Sequence, residues 1–223
     1  MDFNNLIQTF SIWILPVLFA ITVHEAAHGY AARFFGDHTA ASLGRLSLNP
    51  LKHIDPMGTV VVPIAVFIAS SIAGSGFVFG WAKPVPVDMR NLRNPRYDMA
   101  WVAMAGPASN FAMAVFWVLM MGLGQWMVGQ GMGDWALPLV LMGQAGVFIN
   151  LLLMLFNLLP IPPLDGGRVL VSFLPPKLGM QVSRVEPFGF VILMALMFSN
   201  VLWMVLGPAL SGMTQWMTGF VLP

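Results

Sequence analysis

Leu6-Ile7-Gln8-Thr9-Phe10-Ser11-Ile12-Trp13-Ile14-Leu15-Pro16-Val17-Leu18-Phe19-Ala20-Ile21-Thr22-Val23 carries no charge and runs directly into His24-Glu25-Ala26-Ala27-His28. The apolar run predicts a membrane-spanning helix. Residues i and i+4 of a helix share a face, so His24 and His28 can grip one zinc ion between them. Glu25 can then take a proton from a zinc-activated water. A carboxylate inside a span is expensive unless it has a partner, which makes an idle Glu25 a poor explanation. The stretch therefore points to hydrolytic chemistry within a lipid bilayer.

Composition agrees. Of 223 residues, 58% are hydrophobic and only 9% are charged, and the mean hydropathy is +0.79. Soluble domains carry about 25% charged residues, so the chain reads as an integral membrane protein. A net charge of +1 says nothing about acidic partners, and no basic, aromatic-laced patch suggests nucleic acid. There is no cysteine. Disulfides, thiolate zinc ligands and a Cys nucleophile are excluded, and a metal must be held by His, Asp, Glu or Asn. No Lys or Arg precedes the first apolar run, so that run is expected to be a retained span rather than a cleaved signal peptide.

Five apolar segments stand out, at 6–32, 57–80, 99–123, 136–160 and 185–210. Each approaches the ~20 residues a helix needs to cross. The expected fold is an all-α polytopic membrane protein, one domain over 1–223. It would have about four to five transmembrane helices plus a re-entrant or short β segment. Arg33, Arg45 and Lys52 flank the first segment, then Lys83, Arg90, Arg93 and Arg96, then Arg168, Lys177 and Arg184; these are all the basic residues. The positive-inside rule puts all three stretches in the cytoplasm. Both flanks of 57–80 are then on one side, so that segment is expected to dip in and return. Its bend is expected at Ala69-Ser70-Ser71-Ile72-Ala73-Gly74-Ser75-Gly76. The His-Glu motif then lies toward the cytoplasmic face of a multi-pass cell-membrane protein.

A catalytic zinc takes three protein ligands and an open position. Asp165 is the best third candidate. It follows Asn157-Leu158-Leu159-Pro160-Ile161-Pro162-Pro163-Leu164 and precedes Gly166-Gly167. The prolines stop the preceding helix while the chain is still apolar, and the glycines permit close approach. The expected product is an extended segment presenting Asp165 sideways. Glu186, the only other Glu, lacks such a setting. His38 and His53 read as solvated or hydrogen-bonded loop histidines, and Asp55 before Pro56 as a helix cap. Gly106-Pro107-Ala108-Ser109-Asn110 reads as close helix packing, with Asn110 also a candidate for hydrogen-bonding a substrate backbone or a ligand.

The His24–His28 motif together with Asn157, Pro160 and Leu164-Asp165-Gly166 resembles the site-2 proteases, which are intramembrane zinc metalloproteases. Leu43-Gly44-Arg45, Asn49-Pro50-Leu51-Lys52-His53-Ile54-Asp55-Pro56-Met57-Gly58-Thr59 and Gly80-Trp81-Ala82-Lys83-Pro84-Val85-Pro86-Val87 are similar to stretches of the small bacterial members. The resemblance implies zinc held by His24, His28 and Asp165, Glu25 as general base, and Asn157 near the site as an oxyanion donor. It implies an intramembrane endopeptidase that cleaves transmembrane segments of membrane proteins. Larger members carry a PDZ domain, and this chain has no room for one. Asp88 stands where members usually have Asn. Segment 57–80 with Gly80–Val87 is expected to offer an edge strand to an unwound substrate. The competing expectation is a non-proteolytic zinc-binding membrane protein or an inactive relative.

Overall fold

The computed structural model describes residues 3–72 and 80–221. Helix α1 (Phe3–Phe34) carries the His-Glu motif in its second half. It stops at Gly36, whose φ of +107° suits glycine; the Gly36 and Asp37 N–H groups close the last turn on the Arg33 and Ala32 carbonyls. A short helix α2 (Thr39–Ser42) follows. Asp55 then caps a π-helical turn, Pro56–Val61, by accepting from the Met57 and Gly58 N–H groups. Helix α3 (Val62–Ile72) continues from it. An extended strap, residues 80–88, leads back to helix α4 (Pro95–Gly129). Helix α5 (Gly133–Asn157) returns. The proline-rich link leads to α6 (Asp165–Phe173), α7 (Pro176–Ser183), α8 (Gly189–Phe198) and α9 (Val201–Thr218).

Four helical stretches, Ile7–Phe34, Pro95–Gly129, Ala136–Asn157 and Pro176–Phe198, are long and apolar enough to cross a membrane. Large apolar side chains point outward along them: Phe10 is 66% exposed and Leu119 62%. That is what a lipid solvent requires and water would penalise. The chain is thus an all-α, multi-pass membrane protein. Helix α4 is the hub, packing along α5, α1 and α6, while α5 also packs on α1 and α9. Trp117 of α4, Val147 and Leu151 of α5, and Leu210 of α9 share one core cluster.

Residues 58 and 81 are neighbours. The Trp81 N–H donates to the Gly58 carbonyl at 2.9 Å, and the Lys83 N–H donates to the His53 carbonyl at 2.8 Å. Thr59 Oγ1 donates to the Trp81 carbonyl at 3.0 Å. Ends pinned together in this way cannot lie on opposite faces of a bilayer, so 57–80 does not cross once. Of the stretch expected to bend, Ala69–Ile72 are helical in α3, and Ala73–Gly76 lie outside the described residues.

Two further expectations change. The fifth apolar segment is not one helix. Ser199-Asn200 interrupts it, with Asn200 left-handed at φ 63°, a conformation Asn tolerates better than other residues with a Cβ. No strand occurs among the described residues. Pro84 and Pro86 remove alternate donors from the strap, and the Val85 N–H is spent on a side chain instead.

Candidate metal centre

His24 and His28 lie one turn apart on α1, facing α4. Asp165 is the first residue of α6, after an extended Leu164 (φ −65°, ψ 160°). It is therefore a helix N-terminal acid, a position the helix dipole favours, rather than part of an extended run. The proline link ends α5 early and turns the chain back tightly. A Cβ on Gly166 would fall 2.2 Å from the Leu158 carbonyl oxygen, and one on Gly167 would fall 2.4 Å from Pro162 N. Only glycines allow that first turn of α6 to seat on the link.

All three side chains are buried, at 7%, 8% and 6% exposure for His24, His28 and Asp165. His24 Nε2 lies 3.1 Å from His28 Nε2. The two imidazole nitrogens lie 3.3 and 3.4 Å from Asp165 Oδ2. Tetrahedral zinc with bonds of about 2.0–2.1 Å wants ligand atoms roughly 3.3 Å apart. Among the described residues this is the one cluster of His, Asp and Glu able to hold a metal; Glu186 is exposed in a separate turn.

The hydrogen bonds behind the imidazoles decide what the front can do. His28 Nδ1 is 2.7 Å from the Val102 carbonyl, which can only accept, so this nitrogen carries the proton. His24 Nδ1 is 2.6 Å from Asn110 Oδ1. The Asn110 amide nitrogen donates to the Ala20 carbonyl at 3.1 Å and to Asn150 Oδ1 at 3.0 Å, so its oxygen faces His24 and accepts. Both Nε2 atoms then present lone pairs toward Asp165 Oδ2, a buried oxygen without a hydrogen-bond donor. Three acceptors facing one point with no proton among them repel one another unless a cation joins them. The donor set therefore fits zinc. Gly106 makes the space: a Cβ there would lie 2.5 Å from His28 Nε2 and 2.6 Å from His24 Cε1.

Glu25 follows His24 on α1. Its Oε2 accepts the Val85 N–H at 2.8 Å. The strap carrying Val85 is tied at both ends. Arg45 Nη2 donates to the Lys83 and Pro84 carbonyls at 3.0 and 3.3 Å. At the other end, the Asp88 N–H donates to Asp37 Oδ2 at 2.7 Å, and Asn91 Nδ2 donates to Asp37 Oδ1 at 3.1 Å. Burial pushes the Asp37 carboxyl up, but hydrogen bonds from Thr39, Asp88 and Asn91 outweigh it and hold it below the ordinary carboxylate value. Asp88 hydrogen-bonds and pairs with Arg90, which holds it down at about 2.

Asn110 is 0% exposed, with its amide oxygen on His24 Nδ1 and its amide nitrogen on the Ala20 carbonyl and Asn150 Oδ1; it stands behind His24. Asn150, also 0% exposed, was not singled out by the sequence; its only signal is an amide in the middle of an apolar span. Asn157 donates to the Leu153 carbonyl of its own helix at 2.9 Å, not to His24, His28 or Asp165. His53 is buried, bonded to the Ser47 carbonyl at 2.8 Å.

Residues 135–199 match the model of peptidase family M50. The chain is 36% identical over 194 residues to YwhC of Bacillus subtilis (strain 168), named as a zinc metalloprotease, covering 85% of this chain and 83% of that one. It is 30% identical over 197 residues to Rip2 of Mycolicibacterium smegmatis, which bears the same description, covering 88% of this chain and 70% of that one. No solved structure matches the chain. The buried His-His-Asp cluster and these likenesses agree: the chain belongs to peptidase family M50, the site-2 protease family, and is a membrane zinc metalloendopeptidase.

Proposed function

We propose that this enzyme cuts peptide bonds within transmembrane segments of membrane proteins, with His24, His28 and Asp165 holding zinc and Glu25 moving the protons. The observation that carries the reading is the convergence of three proton-free ligand atoms, 3.1–3.4 Å apart, between helices apolar enough to cross a membrane. When bound, zinc activates a water and polarises the scissile carbonyl.

The chain's own residues do the rest. Glu25 Oε2 is engaged by the Val85 N–H, which leaves Oε1 to accept the proton that the attacking water gives up. The water oxygen bonds to the carbonyl carbon, the C–N bond breaks, and Glu25 returns the proton to the departing nitrogen. Asn157, one turn before the proline link, is the candidate oxyanion donor; one amide N–H goes to the Leu153 carbonyl, and the second is the one that would donate. A helical substrate hides its carbonyls in hydrogen bonds, so the cleaved segment must unwind before it reaches Glu25. The basic flanks argue for a site toward the cytoplasmic face of the cell membrane.

The test uses the purified full chain in liposomes with a single-span membrane protein as substrate. Glu25→Gln is expected to keep zinc and lose cleavage, and Asp165→Ala to lose both. Cleavage unchanged in Glu25→Gln ends this reading, and full zinc in Asp165→Ala removes Asp165 as a ligand. A wild type that binds zinc yet cuts neither this substrate nor an unfolded peptide supports the non-proteolytic alternative.

A further inference from the structure

We infer that Asn150 is a positioning residue of the metal centre, acting through Asn110 to keep His24 an Nε2 ligand. The inference rests on His24 holding the zinc.

The chain of orientation starts at a backbone carbonyl. Asn150 Nδ2 donates to the Gly146 carbonyl at 2.8 Å. A carbonyl only accepts, so the Asn150 amide cannot flip without losing that bond, and Oδ1 stays turned toward α4. It accepts from Asn110 Nδ2 at 3.0 Å. The Ala20 carbonyl is the second acceptor for Asn110, at 3.1 Å, but it sits on α1 four residues before His24 and already serves that helix's own ladder. Asn150 is therefore the acceptor that Asn110 does not share with a helical N–H.

The consequence reaches the metal. If the Asn110 amide turned over, its NH₂ would face His24 Nδ1 and demand a lone pair there. The imidazole proton would move to Nε2, the atom that faces Asp165 and His28, and His24 could no longer ligate. Asn150 and Asn110 are both wholly buried in helices apolar enough to span a membrane. Two amides bridging helices for cohesion alone contribute little in such settings. A role in setting the His24 tautomer gives the pair a reason that an apolar residue could not replace.

The experiment measures zinc affinity of the purified full chain by competition with a chromophoric chelator, alongside thermal unfolding of the metal-free protein. Asn150→Leu keeps the branched shape and removes the acceptor; Asn150→Ala covers the case in which the bulkier leucine fails to pack. Both are expected to weaken zinc binding about tenfold, the low end for partners behind a ligand. Asn110→Ala is expected to weaken it further, and Asn110→Ala/Asn150→Leu no more than Asn110→Ala alone. Wild-type affinity in both Asn150 variants, with or without lower thermal stability, overturns the inference and leaves helix cohesion as the role. Losses that add in the double variant overturn it as well. His24→Ala separates the layers: zinc retained there refutes the ligand assignment, whereas zinc lost there with Asn150→Leu unaffected refutes only the relay.

Discussion

The carboxylate of Glu25 accepts a hydrogen bond at 2.8 Å from the backbone N–H of Val85, 60 residues further along the chain. Pro84 and Pro86 on either side have no N–H to offer, so this single donor orients the side chain next to the His24, His28 and Asp165 cluster. The strap that supplies it has its own anchors, and loosening them should reach the chemistry without touching the metal. Arg45→Ala removes the guanidinium from the Lys83 and Pro84 carbonyls. Its expected result is unchanged zinc content and a kcat lower by about tenfold, the scale of one weakened charge-assisted hydrogen bond. Zinc loss in this variant would contradict the reading.

Gly106 is the contact surface for both imidazoles. Gly106→Ala places a methyl 2.5 Å from His28 Nε2, and the rings cannot retreat because Val102 and Asn110 hold them from behind. Overpacking of this kind costs about 1–3 kcal/mol, which should read as a zinc affinity roughly 10- to 100-fold weaker. Chelator competition measures it directly.

Arg96 caps the far end of the helix that starts with Asp165. Its Nε donates to the Ser172 carbonyl at 2.7 Å and its Nη2 to the Leu174 carbonyl at 2.6 Å. A cation on the last carbonyls suits the helix dipole, and the planar fork serves several acceptors at once. Arg96→Ala should lower thermal stability by about 1.5–3 kcal/mol, the worth of hydrogen bonds to a charged group. It should also weaken zinc binding through α6. Arg96→Lys should restore only part of both, since an ammonium cannot reproduce the fork.

Asp37 gives the strap a pH dependence. Its carboxyl is held below the ordinary value, so the folded state favours the ionised form. That contribution is present above the unfolded carboxylate pKa of about 3.9 and is lost as pH falls below it. The gap in Tm between wild type and Asp37→Asn should stay level from about pH 7 to 5 and narrow below about pH 4. A gap that widens on acidification would refute the assignment.

How much of the centre was legible depended on how local its logic is. His24, Glu25 and His28 lie within one and a half turns of one helix, and helical period alone puts the two imidazoles together. Asp165 was legible because prolines and glycines report their backbone consequences in place. Asn110 was noticed, but its hydrogen bond to His24 was not legible, since His24 lies 86 residues away and no local pattern names it. Asn150 carried no signal beyond being polar in an apolar span. The interruption at Asn200 was hidden inside an unbroken hydropathy pattern, because hydropathy reports solvent preference and not φ.

The sequence by itself determined that the chain lives in lipid, that two histidines share a helical face, and that the helix before Asp165 must stop where it does. These follow from transfer free energies, helical period and the covalent limits of proline and glycine, none of which needs a partner. Only the tertiary structure decided which nitrogen of each imidazole faces Asp165, which backbone N–H holds Glu25, and that residues 58 and 81 meet. Those depend on hydrogen bonds between elements distant in sequence, and their direction is set by whichever donor or acceptor the neighbouring helix presents.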